Sequence, residues 1–154
     1  MEWLWVSLLL LNVTVGYRSY RKLRRKRQIF SDRFAMIIAM TSSMVLTLVI
    51  GLLYSFIFPL SLFSTSVYAV ITGAIVGILF GSMVKMHSVL AGFSGGTSGG
   101  LMGAMVGAVA QDPSLCGLPS ASSMNIASNM MSMGIFGTFL TLLSFWLITY
   151  SLKV

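Results

Sequence analysis

Apolar residues in this chain come in long runs, and the polar clusters fall between the runs rather than inside them. A helix needs about 20 consecutive apolar residues to cross a hydrocarbon core about 30 Å thick. On that measure the pattern predicts five segments, at 1–20, 34–58, 67–84, 89–110 and 126–152. The fold class expected is an all-α, multi-pass transmembrane helical bundle of five helices, held as a single integral membrane domain with a core packed through Gly and other small residues.

The first run, Trp3 to Gly16, is short and recruits Tyr17 to Tyr20 or thins the bilayer locally. Glu2 precedes it, and Arg18, Arg21, Lys22, Arg24, Arg25, Lys26 and Arg27 follow it. A cleaved secretory signal has the opposite order, so the run reads as a reverse signal-anchor with its amino terminus outside. The second segment, Phe34 to Phe58, is uncharged, is closed by Pro59 and spans about 37 Å as a helix. A link over Leu60 to Ser66 leads to the third, Val67 to Val84, which ends at Lys85. The fourth, Val89 to Ala110, is built of Gly, Ala, Ser and Met and is weakly hydrophobic, leaving a full span and a re-entrant loop both open. Breakers at Asp112, Pro113, Gly117 and Pro119 predict a loop over Gln111 to Ser123. The last segment, Ile126 to Leu152, ends at Lys153.

Charge turns this pattern into a topology. Of ten Lys and Arg residues all but Lys85 and Lys153 lie between Arg18 and Arg33, in a basic cytoplasmic loop over 18–33. The positive-inside rule puts Lys85 on the same side, and Lys153 as well if the fourth segment crosses. Five spans, with the carboxy terminus cytoplasmic, agree better with the charges than four. The location expected is the inner or plasma membrane, with anionic lipid headgroups as partners of the basic loop. The net charge of +7 does not argue for nucleic acid, because no binding fold fits a loop of this length. Trp3, Trp5, Trp146 and Tyr150 read as interfacial anchors. The sequon at Asn12 and Thr14 falls within the first span, where no glycan is attached.

Small residues recur every fourth position in three segments. The second carries Ala35, Ala39, Ser43, Thr47, Gly51 and Ser55; the third Ala69, Gly73, Gly77 and Gly81. The fourth has two rows, Ala91, Gly95, Gly99, Gly103 and Gly107 beside Gly92, Gly96, Gly100, Ala104 and Ala108. Faces without side-chain bulk let helix backbones approach closely, gaining contacts that lipid does not supply. The simplest arrangement is an antiparallel hairpin of the third and fourth segments, Gly face to Gly face, with the remaining row left for a partner.

Chemistry-bearing groups are sparse. Between Phe34 and Leu152 the charged residues are Lys85 and Asp112, both at segment ends, so no intramembrane proton relay is indicated. Cys116 is the lone cysteine and His87 the lone histidine. Gly92, Ser94 and Gly96, and again Gly96, Ser98 and Gly100, fit G-x-S-x-G, and the shorter G-x-S-G resembles the rhomboid protease nucleophile motif. Both patterns need a base that follows the serine, and His87 precedes it, so no enzyme and no cofactor is expected.

Methionine is abundant, with 12 residues. Met36, Met40 and Met44 form a stripe on the second helix; Met102 and Met105 lie on the fourth, Met130 and Met133 on the fifth, and Met83 and Met86 flank the end of the third. Thioethers fill irregular gaps and are also soft ligands for Cu(I). The pairs Met36/Met40 and Gly73/Gly77, with an outside amino terminus and a basic first loop, resemble the high-affinity copper transporter family over segments one to three. That resemblance implies Cu(I) transport through methionine. The family has three helices, a methionine pair toward the outer end and Met-rich outer motifs, and this chain departs from it on each count, so it is not assigned there. The function expected is a non-enzymatic oligomeric bundle or accessory subunit of a membrane complex. A small transporter or channel for a soft cation is the rival.

Overall fold

A computed structural model describes residues 2–26, 32–58, 61–82, 86–117 and 123–151. Five α-helices account for nearly all of them: α1 (Glu2–Lys26), α2 (Asp32–Ile57), α3 (Leu62–Gly81), α4 (Met86–Gln111) and α5 (Ser123–Ser151). No strand occurs among the described residues. A 3-10 turn at Pro113–Cys116 follows α4. Asp112 Oδ1 caps that turn, accepting from the Ser114 N–H at 3.1 Å, and Gly117 closes it at φ +70°, in the left-handed region that glycine enters without strain. Three helical stretches are long and apolar enough to cross a membrane: Arg33–Ile57, Leu62–Gly81 and Ile126–Ser151.

Element boundaries depart most from the hydropathy pattern at two places, while α4 and α5 each begin three residues early, at Met86 and Ser123. The segment expected as a basic loop from residue 18 is helical through Lys26, because Arg and Lys are good helix formers and continue α1 on its exposed side. The link expected over Leu60 to Ser66 is largely helix as well. Ser61 caps α3, accepting from the Ser64 N–H at 3.4 Å, so the helix starts five residues before Val67. Pro59, Met83, Lys85, Pro119 and Lys153, each given a role by the sequence, lie outside the described residues.

Contacts fix the direction of each helix. Gly73 faces Gly96 and Gly77 faces Gly92; as one number rises by four the other falls by four, so α3 and α4 are antiparallel. Gly95 meets Met40, Gly99 meets Met44 and Gly103 meets Leu48, numbers rising together, so α2 and α4 are parallel. Trp5 meets Phe56 with ring centroids 5.0 Å apart and the rings tilted while Gly16 meets Leu46, which makes α1 antiparallel to α2. Gly134 meets Trp5 and Thr141 meets Asn12, so α1 and α5 are parallel. The bundle therefore alternates in direction from α1 to α5.

Two apolar clusters fill the interior. Leu23, Ile38, Leu46, Phe80 and Phe145 form one, near the carboxy-terminal ends of α1, α3 and α5. Trp5, Val49, Leu52, Leu53 and Phe56 form the other, toward the opposite end. Trp5 is thus a core residue at 7% exposure, not the interfacial anchor its sequence position suggests.

Candidate functional site

Helix α4 packs against both α2 and α3, and its two glycine faces explain why. The row Gly92, Gly96 and Gly100 lies on α3, where a Cβ on each would run into the backbone carbonyl of Gly77, Gly73 or Ala69. The relation is reciprocal: a Cβ on Gly73 or Gly77 would strike the carbonyl of Gly96 or Gly92. Gly81 sits at the end of the same interface, 2.6 Å in Cβ distance from the Ser88 carbonyl. The row Gly95, Gly99, Gly103 and Gly107 lies on α2 instead. There a Cβ on Gly95 would be 2.7 Å from the Met40 carbonyl, one on Gly99 2.6 Å from Thr47 Oγ1, and one on Gly107 2.7 Å from Ser55 Cβ. Gly103 faces the Leu48 carbonyl. The α2 residues opposite, Ala35, Ala39, Ser43, Thr47 and Ser55, are all buried. Both glycine rows are occupied inside the chain, so the row expected to remain for a partner is filled by α2.

Polar contacts fasten these interfaces. Ser43 Oγ lies 3.1 Å from the Gly92 carbonyl, and Gln111 Nε2 donates to the Ser55 carbonyl at 2.6 Å. A separate network joins α1 to α5. Asn12, fully buried, donates from Nδ2 to the Leu8 carbonyl at 2.9 Å and to Thr138 Oγ1 at 3.1 Å. Thr141 Oγ1 donates back to Asn12 Oδ1 at 2.6 Å. Every hydrogen-bonding group of the Asn12 amide is thereby satisfied. Sequence reasoning read Asn12 only as a sequon; the signal for its true partners was a single amide inside an apolar run, the kind of group that bonds across helices in a membrane.

The methionines are scattered. Met36 and Met40 are 44% and 45% exposed on the outer surface of α2, and Met44 is half-buried. Met105 and Met133 come together, lining a groove of about 440 Å³ between α4 and α5 with Asn129 and Ser132. Met102 is exposed and Met130 packs on the cluster around Trp5. Met86 is exposed, and Met83 lies outside the described residues. Among the described residues no group of three His, Cys, Asp or Glu side chains is placed to hold a metal ion.

A second groove, of about 330 Å³, lies between α1, α2 and α3 and is almost wholly apolar. Further along α1, Arg18, Arg21, Lys22 and Arg25 surround a depression of about 210 Å³. Met36, Met40 and Met44 line none of the three. Ser94 Oγ and Ser98 Oγ donate to carbonyls of their own helix, at 3.0 Å to Ala91 and 2.7 Å to Ser94. His87 is exposed, two helical turns and about 10 Å along the axis before Ser94.

No family model matches the chain, and no curated protein or solved structure matches it.

Proposed function

We propose that this chain is a non-enzymatic, multi-pass membrane protein that crosses the bilayer five times and serves as a packing component of a membrane assembly. The membrane reading is supported by outer faces made of Ile71, Ile75, Ile78, Phe136, Phe139 and Leu143, all exposed. In water such exposed apolar faces are unfavourable; against lipid they are ordinary. Alternating helix direction gathers the end of α1, the start of α2 and the start of α4 at one end of the bundle, so Arg18 to Arg25 and His87 share that end and Asp112 occupies the other. Exposed Trp3 and Trp146 lie toward opposite ends, where interfacial rings belong.

The assembly reading is carried by one observation. Ser94 and Ser98 on α4, and Ser128 and Ser132 on α5, are spaced four apart on outward faces, exposed except for a half-buried Ser98. Small-xxx-small pairs on an outer face favour a second helix over lipid tails. The partner is a second copy of this chain or another membrane protein. Native mass spectrometry of the protein released from its own membranes in mild detergent tests this. A defined oligomer or complex is expected, reduced to monomer in a Ser94→Leu/Ser98→Leu variant whose helix content is unchanged. A monomeric wild type overturns the assembly reading.

A further inference from the structure

We propose that the groove between α1, α2 and α3, together with the cationic turn below it, binds one anionic phospholipid, with an acyl chain in the groove and the phosphate against Arg21 and Arg24. The inference rests on the membrane reading above and not on the assembly reading.

The groove has walls from three helices, Val13, Tyr17 and Tyr20 on α1, Ile50 on α2, and Val76 and Leu79 on α3. Tyr17 is 60% exposed and Leu79 49% exposed, so the groove opens sideways, toward the position of lipid. Gly16 leaves Leu46 as its floor, since a Cβ there would be 2.7 Å from Leu46 Cδ2. At its lower end the ring of Tyr20 meets Phe80 edge to face, centroids 5.7 Å apart.

Charge selects the occupant. Residues four apart share a helix face, so Arg21 follows Tyr17, and Arg24 follows Tyr20, one turn beyond the groove. Arg21 also borders a depression formed with Arg18, Lys22 and Arg25 on another face of α1. All five cations are exposed, and none forms an ion pair with a described residue. Guanidinium forks match phosphate oxygens in pairs. An apolar slot ending on unpaired guanidinium groups at the cationic end of a bundle fits a molecule that is apolar and anionic at once. Inorganic phosphate has no use for the slot, and a zwitterionic lipid brings its own cation to the arginines.

The test is native mass spectrometry of the full chain in mild detergent with phosphatidylglycerol or phosphatidylcholine of identical acyl chains. Retention of one phosphatidylglycerol, about tenfold over phosphatidylcholine, is expected. Arg21→Gln/Arg24→Gln should abolish the preference. Leu79→Trp, which fills the groove and leaves every charge in place, should abolish retention; Val13→Phe fills it from α1 and serves if the first variant does not fold. Equal retention of the two lipids overturns the proposal. So does unchanged retention in both groove-filling variants, which marks diffuse surface attraction, or displacement by inorganic phosphate, which marks a bare anion site. Carbonate extraction from vesicles of phosphatidylcholine alone separates the underlying readings. A protein stripped from those vesicles refutes the membrane reading, whereas an embedded protein without lipid preference refutes only the site.

Discussion

At Gly77 a hydrogen occupies the place where any other residue has Cβ, and the Gly92 carbonyl lies directly opposite. The obstacle is backbone on a neighbouring helix, so it does not turn aside as a side-chain end does. Gly77→Ala should therefore force α3 and α4 apart and cost about 1–3 kcal/mol, the range for overpacking, read from unfolding in mixed micelles. Asn12 makes the opposite case, a residue whose side chain is needed. Asn12→Ala removes bonds to Thr138 and Thr141 and leaves a void between α1 and α5. A loss of about 1–2 kcal/mol is expected from polar bonds of this kind between membrane helices, and a Thr138→Ala/Thr141→Ala background should reduce the effect of the Asn12 change. The glycine periods were legible in the sequence, because a four-residue recurrence needs no knowledge of the partner. The role of Asn12 was not, because its partners lie at the far end of the chain and nothing local marks them.

For whole elements two tendencies compete. Glycine costs a helix interior about 1 kcal/mol relative to alanine, so on propensity alone α4 gains from every Gly→Ala change. Packing reverses the sign where the glycine faces backbone. Gly99 on α4 faces the Met44 carbonyl and Thr47 Oγ1, and Gly99→Ala should destabilise. On α5, an alanine methyl at Gly137 would stand 3.2 Å from Val49 Cγ2, its nearest neighbour, and a side-chain methyl gives way more readily than a carbonyl. Gly137→Ala should be neutral or stabilising by up to about 1 kcal/mol. Thermal unfolding of the two variants side by side checks the contrast, and equal destabilisation would remove the backbone-contact explanation. Hydropathy located α2 and the body of α5 well, since both are long apolar runs. It placed the start of α3 too late, because Ser61 caps the helix and Ser64 lies in its first turn while both lower the local hydropathy. Two small rows on α4 were visible, but periodicity names faces and not the helices they meet.

Across the molecule, helix direction and charge reinforce each other. Five helices alternating in direction give each end of the bundle a fixed set of termini, and the described cations collect at one of them. Positive residues flanking a membrane helix stay cytoplasmic, so reporter fusions after Gln111 and after Ser151 should report opposite sides, with Ser151 cytoplasmic. Replacing Arg18, Arg21, Lys22, Arg24 and Arg25 with Gln should then produce molecules of mixed orientation. A re-entrant α4 makes a different prediction: α5 would begin on the cytoplasmic side, Gln111 would report cytoplasmic and Ser151 outside. The continuous course of α4 from Met86 to Gln111, parallel to α2 along the whole glycine row, favours the first outcome. A hairpin that turned back within the bilayer would need a break in α4, and the row Gly95, Gly99, Gly103 and Gly107 keeps one register against α2 from end to end.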